Sequence, residues 1–237
     1  MIRAVFFDLY NTLARFYPPR EQVQAQAAEA LGLRLEREGL VRGYMAADEF
    51  MTAQNAQRHV ARLSVDEQRA FFTRYEQLVL KGAGVDATEE LAASMWDRVR
   101  GIPYGLALYN DALPCLKALK AEGFILGIIS NLNGDLDELS RTLGMADSLD
   151  FTVSSFAAGA EKPHPRIFQV ALGKADVQPS EAVHVGDQYN GDVVGARGAG
   201  LHPVLLDRES VLAHYTDVTR IAGLDQVRPL VHLLSGL

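Results

Sequence analysis

Short apolar runs, each ending in turn residues, recur along the chain at 4–7, 124–129, 151–153, 182–185 and 203–206. Between the later runs, apolar positions return at helical spacing over 111–122, 136–143, 165–174 and 192–199. A continuous apolar run suits a strand buried on both faces. Its alternation with helices predicts a parallel sheet covered by helices on both sides. The expected core is therefore α/β, doubly wound and Rossmann-like.

Residues 18–100 follow a different pattern. They hold almost no strand-like run, and 22–31, 45–63, 65–81 and 88–100 all read as helices. Phe71, Phe72, Tyr75, Leu78 and Val79 recur at the spacing of one helix face, which predicts packing within a bundle. The turn-rich segment Gly101-Ile102-Pro103-Tyr104-Gly105 marks the return to the core. The expected organisation is a core of 1–17 and 101–237 interrupted by a helical cap domain, 18–100.

Composition narrows the function classes. With 237 residues and 48% hydrophobic content, the chain can bury a sizeable core. A formal net charge of −7 argues against general binding of nucleic acid or an anionic membrane, yet leaves room for a local basic pocket. The single cysteine, Cys115, excludes an intramolecular disulfide framework and lies in a helical pattern. Asp8 interrupts the first apolar run, so no signal-peptide pattern forms, and no apolar stretch is long enough to span a bilayer. A cytoplasmic protein is expected. Monomer and homodimer both remain open.

The chemistry-bearing residues follow the apolar runs. Asp8 and Thr12 come after the first, and Ser130 and Asn131 after the second. Lys162 and Pro163 open a later helix containing Arg166 and Phe168; Asp187 and Asp192 follow the run at 182–185. In an open α/β sheet, ligands bind outside the carboxyl ends of the strands, so these four sites face one crevice. A phosphoryl group brings about two negative charges that must be neutralised. Lys162 offers a positive charge, Ser130 a hydroxyl, and Asp8 with Asp187 an oxygen pair suited to Mg²⁺. Singly, each signal has a blander reading: a turn, a helix cap or a solvated loop. Asp8 is harder to dismiss, because an acid ending a buried strand must be paired or ligating.

The stretch Asp8-Leu9-Tyr10-Asn11-Thr12, with the three later sites, resembles the haloacid dehalogenase superfamily, in the subfamily with a helical cap after motif I. Val185-Gly186-Asp187, Asp192 and Gly195-Ala196-Arg197 match its motif IV region closely. The resemblance covers essentially the whole chain. It implies Asp8 as nucleophile, with Thr12, Ser130, Asn131 and Lys162 binding phosphate or stabilising the intermediate. It further implies Mg²⁺ held by Asp8, the Tyr10 backbone carbonyl and Asp187, with Asp192 in support. The implied partner is a small phosphorylated metabolite.

Tyr10 departs from the family's phosphatases, which carry there an Asp acting as general acid and base. The carbonyl survives the change but the acid does not. General acid–base catalysis contributes typically about 10²–10⁴-fold, and a phenol of pKa about 10 replaces a carboxyl poorly. Tyrosine at this position also resembles the 2-haloacid dehalogenases, which attack carbon and need neither that acid nor a metal. Asp187 and Phe168 point the other way, because dehalogenases replace the first motif IV acid and tend to carry Tyr after the motif III Lys. A Mg²⁺-dependent phosphohydrolase is thus expected, with a metal-independent dehalogenase and a catalytically impaired binding protein as alternatives. Arg15 and Arg20 are candidates for touching an anionic substrate. His164 and His202 read as loop residues, since neither has a second histidine at ligand spacing.

Overall fold

The computed structural model describes residues 1–132 and 134–236. Its strands are β1 Ala4–Phe7, β2 Ala14–Tyr17, β3 Gly105–Leu108, β4 Ile125–Ser130, β5 Phe151–Ser154, β6 Ala182–Gly186, β7 His202–Leu206 and β8 Thr219–Ile221. The helices are α1 Arg20–Glu29, α2 Arg37–Gln57, α3 Val65–Gly82, α4 Glu89–Val99, α5 Ala112–Ala121, α6 Leu136–Thr142, α7 Ser155–Ala158, α8 Pro165–Ala175, α9 Gly195–Gly198 and α10 Val227–Ser235. The described chain divides into Met1–Arg15 with Leu106–Leu237, and Phe16–Gly105. Both junctions fall inside the two-stranded ribbon formed by β2 and β3.

The first unit is an α/β fold on a six-stranded sheet of the described residues, ordered β5-β4-β1-β6-β7-β8, with every neighbouring pair parallel. Alternation along β1 sends Val5 and Phe7 to one face and Ala4 and Phe6 to the other. The first face packs on α5 and α10 through Leu116, Leu119, Val227 and Val231. The second packs on α8 through Ile167, Phe168, Ala171 and Leu172. Cys115 is buried on α5, and burial pushes its thiol up to about 12, so it is an inert packing residue. β1 lies between β4 and β6, and the strand order runs outward from it in both directions, which places the crevice at the carboxyl end of β1.

The second unit is helical. α2 begins at Arg37, earlier than the hydrophobic pattern implies, because its glycines serve close packing and do not break it. A Cβ on Gly43 would run into the Val79 backbone, and one on Gly82 into that of Gly43. α3 starts at a reciprocal cap: Ser64 Oγ accepts the Glu67 N–H at 3.3 Å, and Glu67 Oε2 accepts the Ser64 N–H at 2.7 Å. The interior also holds a polar network. Arg20 donates to Asp48 at 2.7 Å and lies 4.2 Å over the Tyr44 ring. Tyr75 donates to Asp48 at 2.7 Å, Tyr44 to Gln24 at 2.9 Å, and Gln24 Nε2 to Glu76 Oε2 at 2.6 Å. Arg20 is therefore a structural partner of Asp48, which argues against its use as a substrate ligand. Among the described residues, no helix is long and apolar enough to cross a membrane.

Candidate active site

Asp8 stands one residue past β1. Its N–H donates to the Val185 carbonyl at 2.9 Å, so the β1–β6 ladder continues to the acid itself. The chain then turns tightly: the Leu13 and Ala14 N–H groups both reach the Leu9 carbonyl, at 2.9 and 2.8 Å. Asn11 takes a left-handed φ of 58° and donates its N–H to the Ala14 carbonyl at 2.7 Å. Asparagine tolerates that conformation better than most residues. Tyr10 is partly buried and packs against the apolar cluster that holds Leu9 and Leu13. Thr12 is fully buried, and so is Ser130, the last residue of β4. The hydroxyl oxygens of both lack hydrogen-bond partners among the described residues. An unpaired buried hydroxyl costs about 1–3 kcal/mol, so these two oxygens suit an incoming oxyanion.

Lys162 reaches the acids from the loop before α8. Its Nζ lies 2.5 Å from Asp8 Oδ1 and 2.6 Å from Asp192 Oδ1, with all three side chains buried. Asn131 holds this loop by both of its amide atoms, accepting the Lys162 N–H at 2.7 Å and donating to the Lys162 carbonyl at 3.1 Å. Its side chain is thus engaged with backbone. His164 Nδ1 caps the start of α8 by accepting the Arg166 N–H at 3.1 Å, and His202 Nε2 pairs with the Ser180 carbonyl at 3.0 Å.

Asp192 sits in a π-helical turn, Tyr189–Val194, where donors surround it. Besides Lys162, His184 Nε2 approaches Oδ1 at 2.9 Å and the Gln188 N–H donates to Oδ2 at 3.0 Å. A side chain on Gly186 would occupy the place of the Asp192 carboxyl group, so only glycine ends β6 here. One face of each of Asp8, Asp187 and Asp192 converges: their carboxylate oxygens lie within 4.8 Å of one another.

Burial raises the Asp8 carboxyl despite the neighbouring Lys162. Burial would raise Asp192 as well, but Lys162 and the His184 hydrogen bond prevail and hold it well below the usual range. For Lys162, burial is outweighed by Asp192 and Asp8, which keep the ammonium charged. Burial keeps His184 neutral against the pull of Asp192, so it donates to that carboxylate from Nε2. Three carboxylates against one ammonium give the site an excess of negative charge. With oxygen donors grouped this closely, Asp8 and Asp187 fit a hard divalent cation. Asp192, already occupied by three donors, fits better as the group that orients Lys162.

The model for haloacid dehalogenase-like hydrolases matches residues 2–200. The chain belongs to this family. It is 32% identical over 221 residues to the human haloacid dehalogenase-like hydrolase domain-containing protein 3, covering 86% of this chain and 82% of that one. It is 31% identical over 214 residues to the ribulose-1,5-bisphosphate 5-phosphatase of Halopiger xanaduensis, covering 87% and 85%. A solved 2-haloacid dehalogenase from Pseudomonas syringae pv. Tomato superposes with a TM-score of 0.55 at 26% identity, covering 98% of this chain and 99% of that one.

In this hydrolase, His184 is a site neighbour that sequence reasoning misses. Its signal was a lone histidine within an otherwise apolar strand, on the face opposite Val183 and Val185. There it meets the edge of Phe168 at 5.2 Å. Phe168 is fully buried, and its ring also lies where a side chain on Gly195 would go, which locks α8 against α9.

Proposed function

We propose that this hydrolase is a Mg²⁺-dependent phosphatase of small phosphorylated metabolites. The observation that carries the reading is the meeting of Asp8, Asp187 and Asp192, with Lys162 bound to Asp8 and Asp192, together with the buried Thr12 and Ser130 hydroxyls that lack partners among the described residues. A dehalogenase binding an anionic 2-haloacid would gain nothing from excess carboxylate charge at the nucleophile. The resemblance to a sugar-bisphosphate phosphatase supports the same substrate class.

Asp8 attacks phosphorus, the bond to the leaving oxygen breaks, the departing oxyanion takes its proton from solvent, and an aspartyl-phosphate forms. Lys162 and the Thr12 and Ser130 hydroxyls receive the phosphoryl oxygens, while Asp192 keeps Lys162 in place. Mg²⁺, held by Asp8, Asp187 and the Tyr10 carbonyl, would supply positive charge for the phosphoryl group and keep Asp8 ionised. Water then attacks phosphorus, releasing phosphate and restoring the Asp8 carboxylate. Tyr10 supplies no carboxylic acid to protonate the leaving group, so aryl and acyl phosphates should react faster than alkyl phosphates.

The test is phosphate release from p-nitrophenyl phosphate and a panel of sugar phosphates, with Mg²⁺ and with chelator. Release that needs Mg²⁺ and vanishes in Asp8→Asn is expected. Halide release from 2-chloropropionate in chelator would establish the dehalogenase instead, and neither activity would leave a binding protein.

A further inference from the structure

Arg208, two residues past β7, is tied to the turn that follows Asp8. Its Nη2 donates to the Thr12 carbonyl at 2.8 Å. The same guanidinium grips Asp111 in a fork, Nη1 to Oδ2 at 2.8 Å and Nη2 to Oδ1 at 3.0 Å. Its Cζ lies over the Tyr109 ring, 3.9 Å from the ring centre. Asp111 is fixed in turn, since its Oδ2 accepts the Leu224 N–H at 3.0 Å. Both side chains are largely buried, at 16% and 27% exposed. A guanidinium held by a two-pronged carboxylate and an aromatic face has little freedom left, so its remaining hydrogen bond points at a fixed place.

That place matters because the turn's own backbone hydrogen bonds leave the Thr12 carbonyl to Arg208. Asn11 holds a left-handed φ of 58°, which most side chains avoid. Thr12 is fully buried, and its hydroxyl has no partner of its own to hold it. A hydrogen bond from a charged donor is shorter and stronger than one between neutral groups. Fixing the Thr12 carbonyl fixes the peptide plane and hence the direction of the Thr12 side chain.

We propose that Arg208, held by Asp111 and Tyr109, is a positioning residue that sets the Thr12 hydroxyl for the phosphoryl group. The proposal rests on reading the turn as phosphoryl-binding. A plain ion pair stapling the chain after β7 to the core would affect stability alone; a positioning residue affects turnover beyond its effect on stability.

The experiment compares the full-length wild type with Arg208→Gln and Arg208→Lys. It measures kcat and KM for p-nitrophenyl phosphate with Mg²⁺, together with amide hydrogen exchange of residues 8–15 and of β4. In Arg208→Gln, kcat should fall on the order of 10²-fold, as misplacement of a reacting group by about 1 Å can cause, with KM changing far less. Arg208→Lys keeps one donor for the Thr12 carbonyl and should recover part of the loss. Exchange of residues 8–15 should quicken by about tenfold or more while β4 is unaffected. Unchanged kcat in Arg208→Gln overturns the proposal, as does equal quickening of exchange in the turn and in β4. If the wild type releases no phosphate, the phosphatase reading fails by itself. The clamp is then judged by exchange, which upholds it if the turn alone quickens and overturns it otherwise.

Discussion

Glu76 makes the second unit less stable at neutral pH than its packing allows, and Glu76→Gln should reveal by how much. The side chain is 1% exposed on α3, and Oε2 accepts a hydrogen bond from the Gln24 amide at 2.6 Å. Burial raises its pKa from 4.5 to about 7, with Gln24 opposing weakly. Below about pH 4.5 both the folded and unfolded states carry the proton, and Glu76 has no cost. Between 4.5 and about 7 the unfolded chain has released its proton while the folded chain keeps it, so stability falls as pH rises. Above that window the full interval is lost, about 3 kcal/mol at ~1.4 kcal/mol per pH unit. Glutamine has the same shape and can accept the Gln24 hydrogen bond, but never ionises. Glu76→Gln should therefore exceed wild type by under about 1 kcal/mol near pH 5, and by about 3 kcal/mol near pH 8. Urea unfolding followed by the fluorescence of Trp96, the chain's single tryptophan, reads this unit directly, since Trp96 stacks on Phe72 at 4.0 Å. A gap between variant and wild type that is the same at both pH values would refute the reasoning, and so would a less stable variant at pH 8.

Gly186→Ala should lower stability by about 1–3 kcal/mol, because the new methyl overlaps the Asp192 carboxyl group that Lys162, His184 and Gln188 hold in place. Thermal unfolding checks this, and an unchanged Tm would show that Asp192 can yield. Tyr10→Asp restores a carboxyl group and should raise kcat/KM for alkyl phosphates by about 10²–10⁴-fold, with a smaller gain for aryl phosphates. Equal gains for both, or none, would mean that leaving-group protonation does not limit this site.

The central strands were legible because burial on both faces leaves almost no other composition: Ala4–Phe7 is buried at every position. The ribbon and β8 were not legible, because each is four residues or fewer and carries exposed positions. In the helical unit, Gly39, Gly43 and Gly82 look like helix breakers in a linear reading. Their purpose emerges only when a second helix backbone is seen to occupy the space beside them. The convergence of Asp8, Lys162, Asp187 and Asp192 could be anticipated from position alone, since each follows a strand or opens a helix at the carboxyl edge of the sheet. What position cannot convey is the division of labour among like charges. Lys162 bridges Asp8 and Asp192 at nearly equal distances, yet the two acids are driven in opposite directions. Asp192 is lowered by the Lys162 charge and the His184 hydrogen bond, whereas burial and the neighbouring charge of Asp192 push Asp8 up. Asp192 is thereby held as the permanent counter-charge of Lys162, and Asp8 remains the acid whose ionisation still depends on what else enters the site. That suits the nucleophile role proposed for Asp8, because a carboxylate fully satisfied by fixed donors would be a poor attacking group, and the His184 donor goes to its neighbour.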